Sequence, residues 1–138
     1  MIKNRSLIFI LLVLILAGCN SAGKVAPEIQ TGGDLADISF TEYEHDFGKV
    51  AEGEKVAYVF SFVNKGPGDL VINSASTSCG CTVTKYNRDP IPSGDGGSLE
   101  VVFDTSARSG IQTKTVSVGS NSKTPVVILK ITAEVISK

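Results

Sequence analysis

From Asp37 onward the apolar positions recur every second residue, the period of a half-buried β-strand, and no window shows the 3.6 period of an amphipathic helix. Lys55–Asn64 is the clearest case. Val56, Tyr58, Phe60 and Phe62 fall on one face and Ala57, Val59, Ser61 and Val63 on the other, which predicts a strand with Phe60 at the centre of its buried side. Ile38, Phe40 and the region of Phe47 open the domain, and Phe47-Gly48 predicts a bend or bulge there. Leu70-Val71-Ile72 begins a further strand that runs, with a break, towards Cys79, Cys81 and Val83. Leu99–Phe103 and Thr113–Val118 follow. The last candidate is Pro125–Ile136, where Val127, Leu129, Ile131, Ala133 and Val135 alternate with more polar positions.

Turn chemistry separates these runs. Asn64-Lys65-Gly66-Pro67-Gly68-Asp69 and the stretch Asp89–Gly97 are rich in glycine, which tolerates positive φ, and proline, which sets a corner. Short strands in sequence, with both faces partly apolar in the longer ones, predict an all-β fold. The expected architecture is an immunoglobulin-like antiparallel β-sandwich of about seven strands. A small closed barrel is the alternative. The chain has no tryptophan, so the Cys…Trp…Cys signature of antibody domains is absent and the likeness is one of architecture.

The first residues carry a different signal. Lys3 and Arg5 precede an unbroken apolar run from Leu7 to Ala17. That run is shorter than the ~20 residues a membrane-spanning helix needs and fits the apolar core of a secretory signal peptide. It closes in Leu16-Ala17-Gly18-Cys19, which resembles the lipobox of bacterial lipoproteins. The resemblance implies cleavage before Cys19 and attachment of diacylglycerol to its thiol. The expected organisation is therefore a signal peptide over 1–18, a flexible tether over 19–36 beginning at the lipidated Cys19, and the sandwich over 37–138. The tether reads as small and polar residues without a period.

Charge narrows the partners. Cleavage removes Lys3 and Arg5 from 13 basic residues and leaves all 14 acidic ones, a net charge of about −3 on the mature chain. Nucleic acid is not expected as a partner, since it needs a basic footprint to displace counterions. No polybasic run points to a membrane surface, so the membrane link is the lipid anchor alone, and two or three acyl chains hold stably. Asn20 after the lipidated cysteine, with no acidic run behind it, points to the outer membrane, facing the periplasm, by analogy with lipoprotein sorting.

The reactive constellation is Cys79-Gly80-Cys81. On a regular strand residues i and i+2 lie about 6.5–7 Å apart, beyond the span a disulfide prefers, so a bridge between them requires a local bend. The loop it closes is tiny and its stabilisation accordingly small. Three readings stand side by side: two packing residues at a strand end, a soft-metal site for Cu(I) or zinc, and a thiol–disulfide pair. With Cys19 acylated, the thiol and imidazole ligands left are Cys79, Cys81 and His45, too few for a closed tetrahedral zinc site. His45, the single histidine, reads most simply as a partly exposed strand residue. No nucleophile elbow, catalytic triad or phosphate-cradling loop is present, and no enzyme activity is expected.

Read end to end, Phe40 to Val135 resembles a bacterial family known as domain of unknown function 1573. The resemblance rests on His45-Asp46-Phe47-Gly48-Lys49-Val50, Glu52-Gly53-Glu54, Tyr58 to Gly66, Asp69-Leu70-Val71-Ile72, Ser78-Cys79-Gly80-Cys81-Thr82, Ile91-Pro92-Ser93-Gly94 and Val101 to Thr105. The turn before Val101 departs slightly from the family's usual pattern, which bears on a loop. The resemblance implies a sandwich similar to immunoglobulin-like modules of cytoskeletal and ciliary proteins, and no activity. The expected function is a non-catalytic envelope lipoprotein module that binds a protein or glycan partner or serves structurally. The alternative is a copper-binding or thiol–disulfide protein built on Cys79 and Cys81.

Overall fold

The computed structural model describes residues 34–137, without the side chain of Val83. The expected signal peptide, Cys19 and the tether as far as residue 33 lie outside the described residues. Eight strands form within them: β1 (Ile38–Phe40), β2 (Glu44–Ala51), β3 (Lys55–Asn64), β4 (Ile72–Thr77), β5 (Thr82–Tyr86), β6 (Gly96–Asp104), β7 (Gly110–Ser120) and β8 (Val126–Ile136). They pair as two four-stranded sheets, in the orders β1-β3-β6-β5 and β2-β8-β7-β4. The fold is the expected immunoglobulin-like sandwich.

The alternation read from the sequence explains the packing. Along β3 and β6, Phe60, Phe62, Leu99, Val101 and Phe103 are buried, and the second sheet answers with Val116, Val118, Leu129, Ile131, Ala133 and Val135. Phe60 is 1% exposed, as expected of the centre of its strand. Its outer-face neighbour Val59 is 49% exposed.

Three features depart from the simple antiparallel expectation. First, β2 runs parallel to β8, its neighbour in the second sheet. Second, the segment beginning at Leu70 is two strands. β4 belongs to one sheet and β5 to the other, and the chain changes sheet through Ser78–Cys81. Third, Asp34–Ala36, expected in the tether, pack onto the sandwich. Backbone of these residues crosses Gly66 and Gly68 so closely that a Cβ at either glycine would collide with it. The predicted bulge at Phe47-Gly48 is present: the register of β2 on β8 shifts between Asp46 and Lys49, and Gly48 takes φ +67°. The Asp46 carboxylate accepts the Gly48 N–H at 2.8 Å across it.

Buried polar groups fasten the ends of the sandwich. Asn64, which the composition places in a turn, is the last residue of β3 and fully buried. Its Oδ1 accepts from the N–H of Asp37 (3.1 Å) and of Gly66 (3.0 Å), and its Nδ2 donates to the carbonyls of Gly68 (2.8 Å) and Ile91 (3.0 Å). One side chain thus joins the chain's entry, the 64–69 turn and the loop before β6. At the opposite end, the buried Thr105 hydroxyl lies 3.0 Å from the Ala51 carbonyl and 2.8 Å from that of Glu54, tying the β6–β7 connection to the β2–β3 turn.

Candidate functional site

Cys79 and Cys81 are joined by a disulfide, with their Cα atoms 5.4 Å apart. That separation is shorter than two extended residues span, so the local bend required by the sequence argument exists. It is a turn at the crossover from β4 to β5. Gly80 sits exposed at its apex, outside the positive-φ glycines, and a Cβ there would meet nothing within 4 Å. The bend therefore does not depend on glycine's conformational freedom.

The turn is held on both sides independently of the sulfurs. Ser78 donates its N–H to the Thr115 carbonyl (3.0 Å) on β7, and its hydroxyl accepts the Thr115 N–H (3.1 Å). On the other sheet the Cys81 carbonyl accepts the Asp104 N–H at 2.9 Å. Within the turn the Thr77 hydroxyl contacts the carbonyls of Cys79 (2.8 Å) and Thr82 (3.1 Å). The Cys79 Sγ lies 3.7 Å from the hydroxyl of buried Thr82. Both cysteines are half-buried, and Cys81 packs against the core.

His45 is elsewhere. It lies on β2, at the opposite edge of its sheet from β4, the strand that leads into Cys79. Its ring stacks on Tyr58 with centroids 3.5 Å apart and 9° between planes, and meets Phe47 edge-on at 4.7 Å. The sequence grouped His45 with the cysteines because each can ligate a metal; the fold gives it to an aromatic cluster that bridges the two sheets. Among the described residues no three His, Cys, Asp or Glu side chains are grouped to hold a metal ion. While the sulfurs are bonded to each other, neither presents a thiolate to Cu(I).

The Tyr58 hydroxyl donates to the Glu42 carboxylate at 2.8 Å. That hydrogen bond, reinforced by burial and the carboxylate's charge, holds the Tyr58 pKa above the ordinary phenol value. It also pins the crossover from β1 to β2 against β3. Beside it opens a cavity of about 140 Å³ lined by Thr41, Glu42, Tyr58, Val59, Phe60 and Ser61. Sequence reasoning missed this contact because nothing local links Glu42 to a residue sixteen positions away.

These features define an immunoglobulin-like module with a half-exposed disulfide at one sheet-to-sheet crossover. Residues 38–135 match the family model described as "Protein of unknown function (DUF1573)", and the chain belongs to that family. No curated protein matches it. Among solved structures, a protein of unknown function from Porphyromonas gingivalis W83 is similar at TM-score 0.67 and 20% identity, over 77% of this chain and 50% of its own. The ASH/PapD-like domain 7 of human CEP192 is similar at TM-score 0.63 and 10% identity, over 88% and 99%. The Vibrio cholerae VesB protease is similar at TM-score 0.60 and 14% identity, over 71% and 32%. The chain thus spans half the length of the Porphyromonas protein and about a third of the protease. At these identities the likeness is one of fold.

Proposed function

We propose that this protein is a non-catalytic lipoprotein of the cell envelope, which presents a binding sandwich at the end of a lipid tether on Cys19. The observation that carries the reading is the polarity of the domain. The chain enters at Asp34–Asp37, beside Asn64 and the 64–69 turn. The β2–β3 turn, the disulfide crossover and the β6–β7 connection lie at the opposite end, where β3 begins and β6 ends. Ten residues of β3 separate the two ends, about 33 Å at strand rise. The disulfide end is therefore the end of the domain farthest from the chain's entry.

Replacing Cys19 by alanine is expected to abolish labelling by a palmitate analogue and to leave the protein uncleaved by the lipoprotein peptidase or released as soluble material. Continued labelling and partition into detergent would overturn the lipid anchor.

A second reading has one observation in its favour: the disulfide spans a single residue whose flanks are already hydrogen-bonded to both sheets. Such a bridge adds little stability, because it removes almost no freedom from the unfolded chain. It is suited to exchange. A thiolate of a partner dithiol attacks one sulfur, the other leaves as thiolate, and the partner's second thiol completes the transfer. The pair ends as two thiols and the partner as a disulfide. Substituting Ser for both cysteines is expected to shift the melting temperature by less than 10 °C, given that 1 kcal/mol moves a domain of this size by about 4–8 °C. Thiol counting by intact mass in a dithiol buffer, with and without Cu(I), separates exchange from metal binding. A larger thermal loss would make the bridge a structural staple.

A further inference from the structure

We infer that the free edge of β3, from Lys55 to Phe60, docks an extended segment of a partner protein with basic ends, which adds to the first sheet as a strand. This deepens the binding reading by naming its surface, and stands whether or not Cys19 carries lipid.

The inference starts from the backbone. In an antiparallel sheet the N–H and C=O of one residue point to one side of the strand and those of the next residue to the other. The Asn64 N–H donates to Asp95 and its carbonyl accepts from Gly94, so Asn64 faces the β6 side. The Ser61 carbonyl accepts from Thr41 N–H, so Ser61 faces the β1 side. By this alternation Lys55, Ala57 and Val59 also present their backbone groups to the β1 side. Yet β1 covers β3 only from Phe62 to Asn64, and after Thr41 the chain leaves for the second sheet. No strand among the described residues pairs with this side of β3 before Ser61. Lys55, Ala57 and Val59 are all exposed.

The other edges are guarded. β2 is bulged at Phe47-Gly48, and β4 shifts register between Ile72 and Ser74. The Thr84 hydroxyl on β5 donates to the Ala75 carbonyl on β4, so these two edges cover each other. β1 is three residues long, and its Ile38 N–H is taken by Ser122. Bulges, short strands and covered backbone are the usual protections of sheet edges. Lys55–Phe60 has none of the three, and its one charge is already paired with Asp104 at 3.4 Å.

The notch fixes where an added strand ends. The cavity beside Thr41 and Glu42 continues the line of β1 along β3, so an incoming strand stops there against the Glu42 carboxylate. At its other end, where Lys55 and Asp104 pair with each other, the edge meets Glu52 and Glu54 of the β2–β3 turn. Acidic groups thus stand at both ends of a backbone track about 20 Å long. A second copy pairing edge to edge would bring Glu42 of each domain to the acidic end of the other, which like charge opposes. A peptide with lysine or arginine at its ends meets the same charges favourably. Backbone hydrogen bonds supply the binding and alternate side chains the selectivity, as in strand addition generally.

The test is amide hydrogen exchange on the full chain in detergent micelles, alone and with a synthetic peptide of alternating threonine and valine carrying a lysine at each end. The amides of Ala57 and Val59 should exchange rapidly in the free chain and at least tenfold more slowly with millimolar peptide. A glutamate-ended peptide should protect them much less. Val59→Pro, which removes an outward N–H and leaves the β6 ladder intact, should abolish the protection. Should that variant not fold, Glu42→Lys, which leaves one end of the track acidic and makes the other basic, should abolish most of the preference between the two peptides. Three results would each overturn the inference: slow exchange at Ala57 and Val59 in the free chain, no protection by the lysine-ended peptide, or equal protection by both peptides.

Discussion

Asn64→Leu is expected to lower the unfolding free energy by about 3–5 kcal/mol, because a leucine of similar size leaves four backbone groups without their partner. The N–H groups of Asp37 and Gly66 and the carbonyls of Gly68 and Ile91 all end on the Asn64 amide. A buried polar group deprived of its hydrogen bond costs about 1–3 kcal/mol, and part of this set can recover water at the domain's end. Urea unfolding of the variant against the parent measures the loss. A change under 1 kcal/mol would mean that the amide network contributes nothing net.

Asn64→Asp refines the test. It keeps an acceptor for Asp37 and Gly66 but turns an oxygen towards the Gly68 and Ile91 carbonyls, which repel a carboxylate and welcome a protonated one. The folded-state pKa of that aspartate is therefore raised above its unfolded value of about 3.9. A raised folded pKa gives stability that is complete below the unfolded value and lost as pH rises through the folded one. The Asp variant should accordingly approach the parent's stability in mild acid and fall behind it at neutral pH.

Phe60→Ala is expected to cost about 3–5 kcal/mol, the range for emptying a large buried aromatic site. Phe60 is 1% exposed, stands at the middle of β3 and meets the Tyr58 ring edge-on at 4.9 Å. The cavity would open between the two sheets, where neither ladder can close without breaking its register. Val59→Ala, one residue away on the outer face, should cost well under 1 kcal/mol and serves as the control. At about 4–8 °C per kcal/mol, the Phe60 variant should melt at least 12 °C below the parent by circular dichroism. Equal effects at the two positions would mean that β3 does not present the face described.

The contrast between these residues shows where sequence reasoning reaches. Phe60 was legible because a period of two leaves one choice of inner face along a ten-residue strand. Gly48 was legible because a glycine within a strand pattern marks a bulge. Asn64 was not, since an asparagine followed by Lys-Gly-Pro-Gly has the composition of an exposed turn. Its burial depends on Asp37 and Ile91, each 27 positions away along the chain. His45 and the cysteines were grouped by chemical type, and only the strand order separated them.

By itself the sequence determined the class of fold, the inner face of its main strands and the need for a bend between Cys79 and Cys81. Each of these follows from local periodicity or covalent geometry, which act over a few residues. Tertiary structure alone decided that β2 lies parallel to β8, that β4 and β5 belong to different sheets, and that β3 keeps an unpaired edge. Those are questions of which distant segments meet. Alternation specifies that a strand must bury one face, and it is indifferent to which neighbour completes its hydrogen bonds.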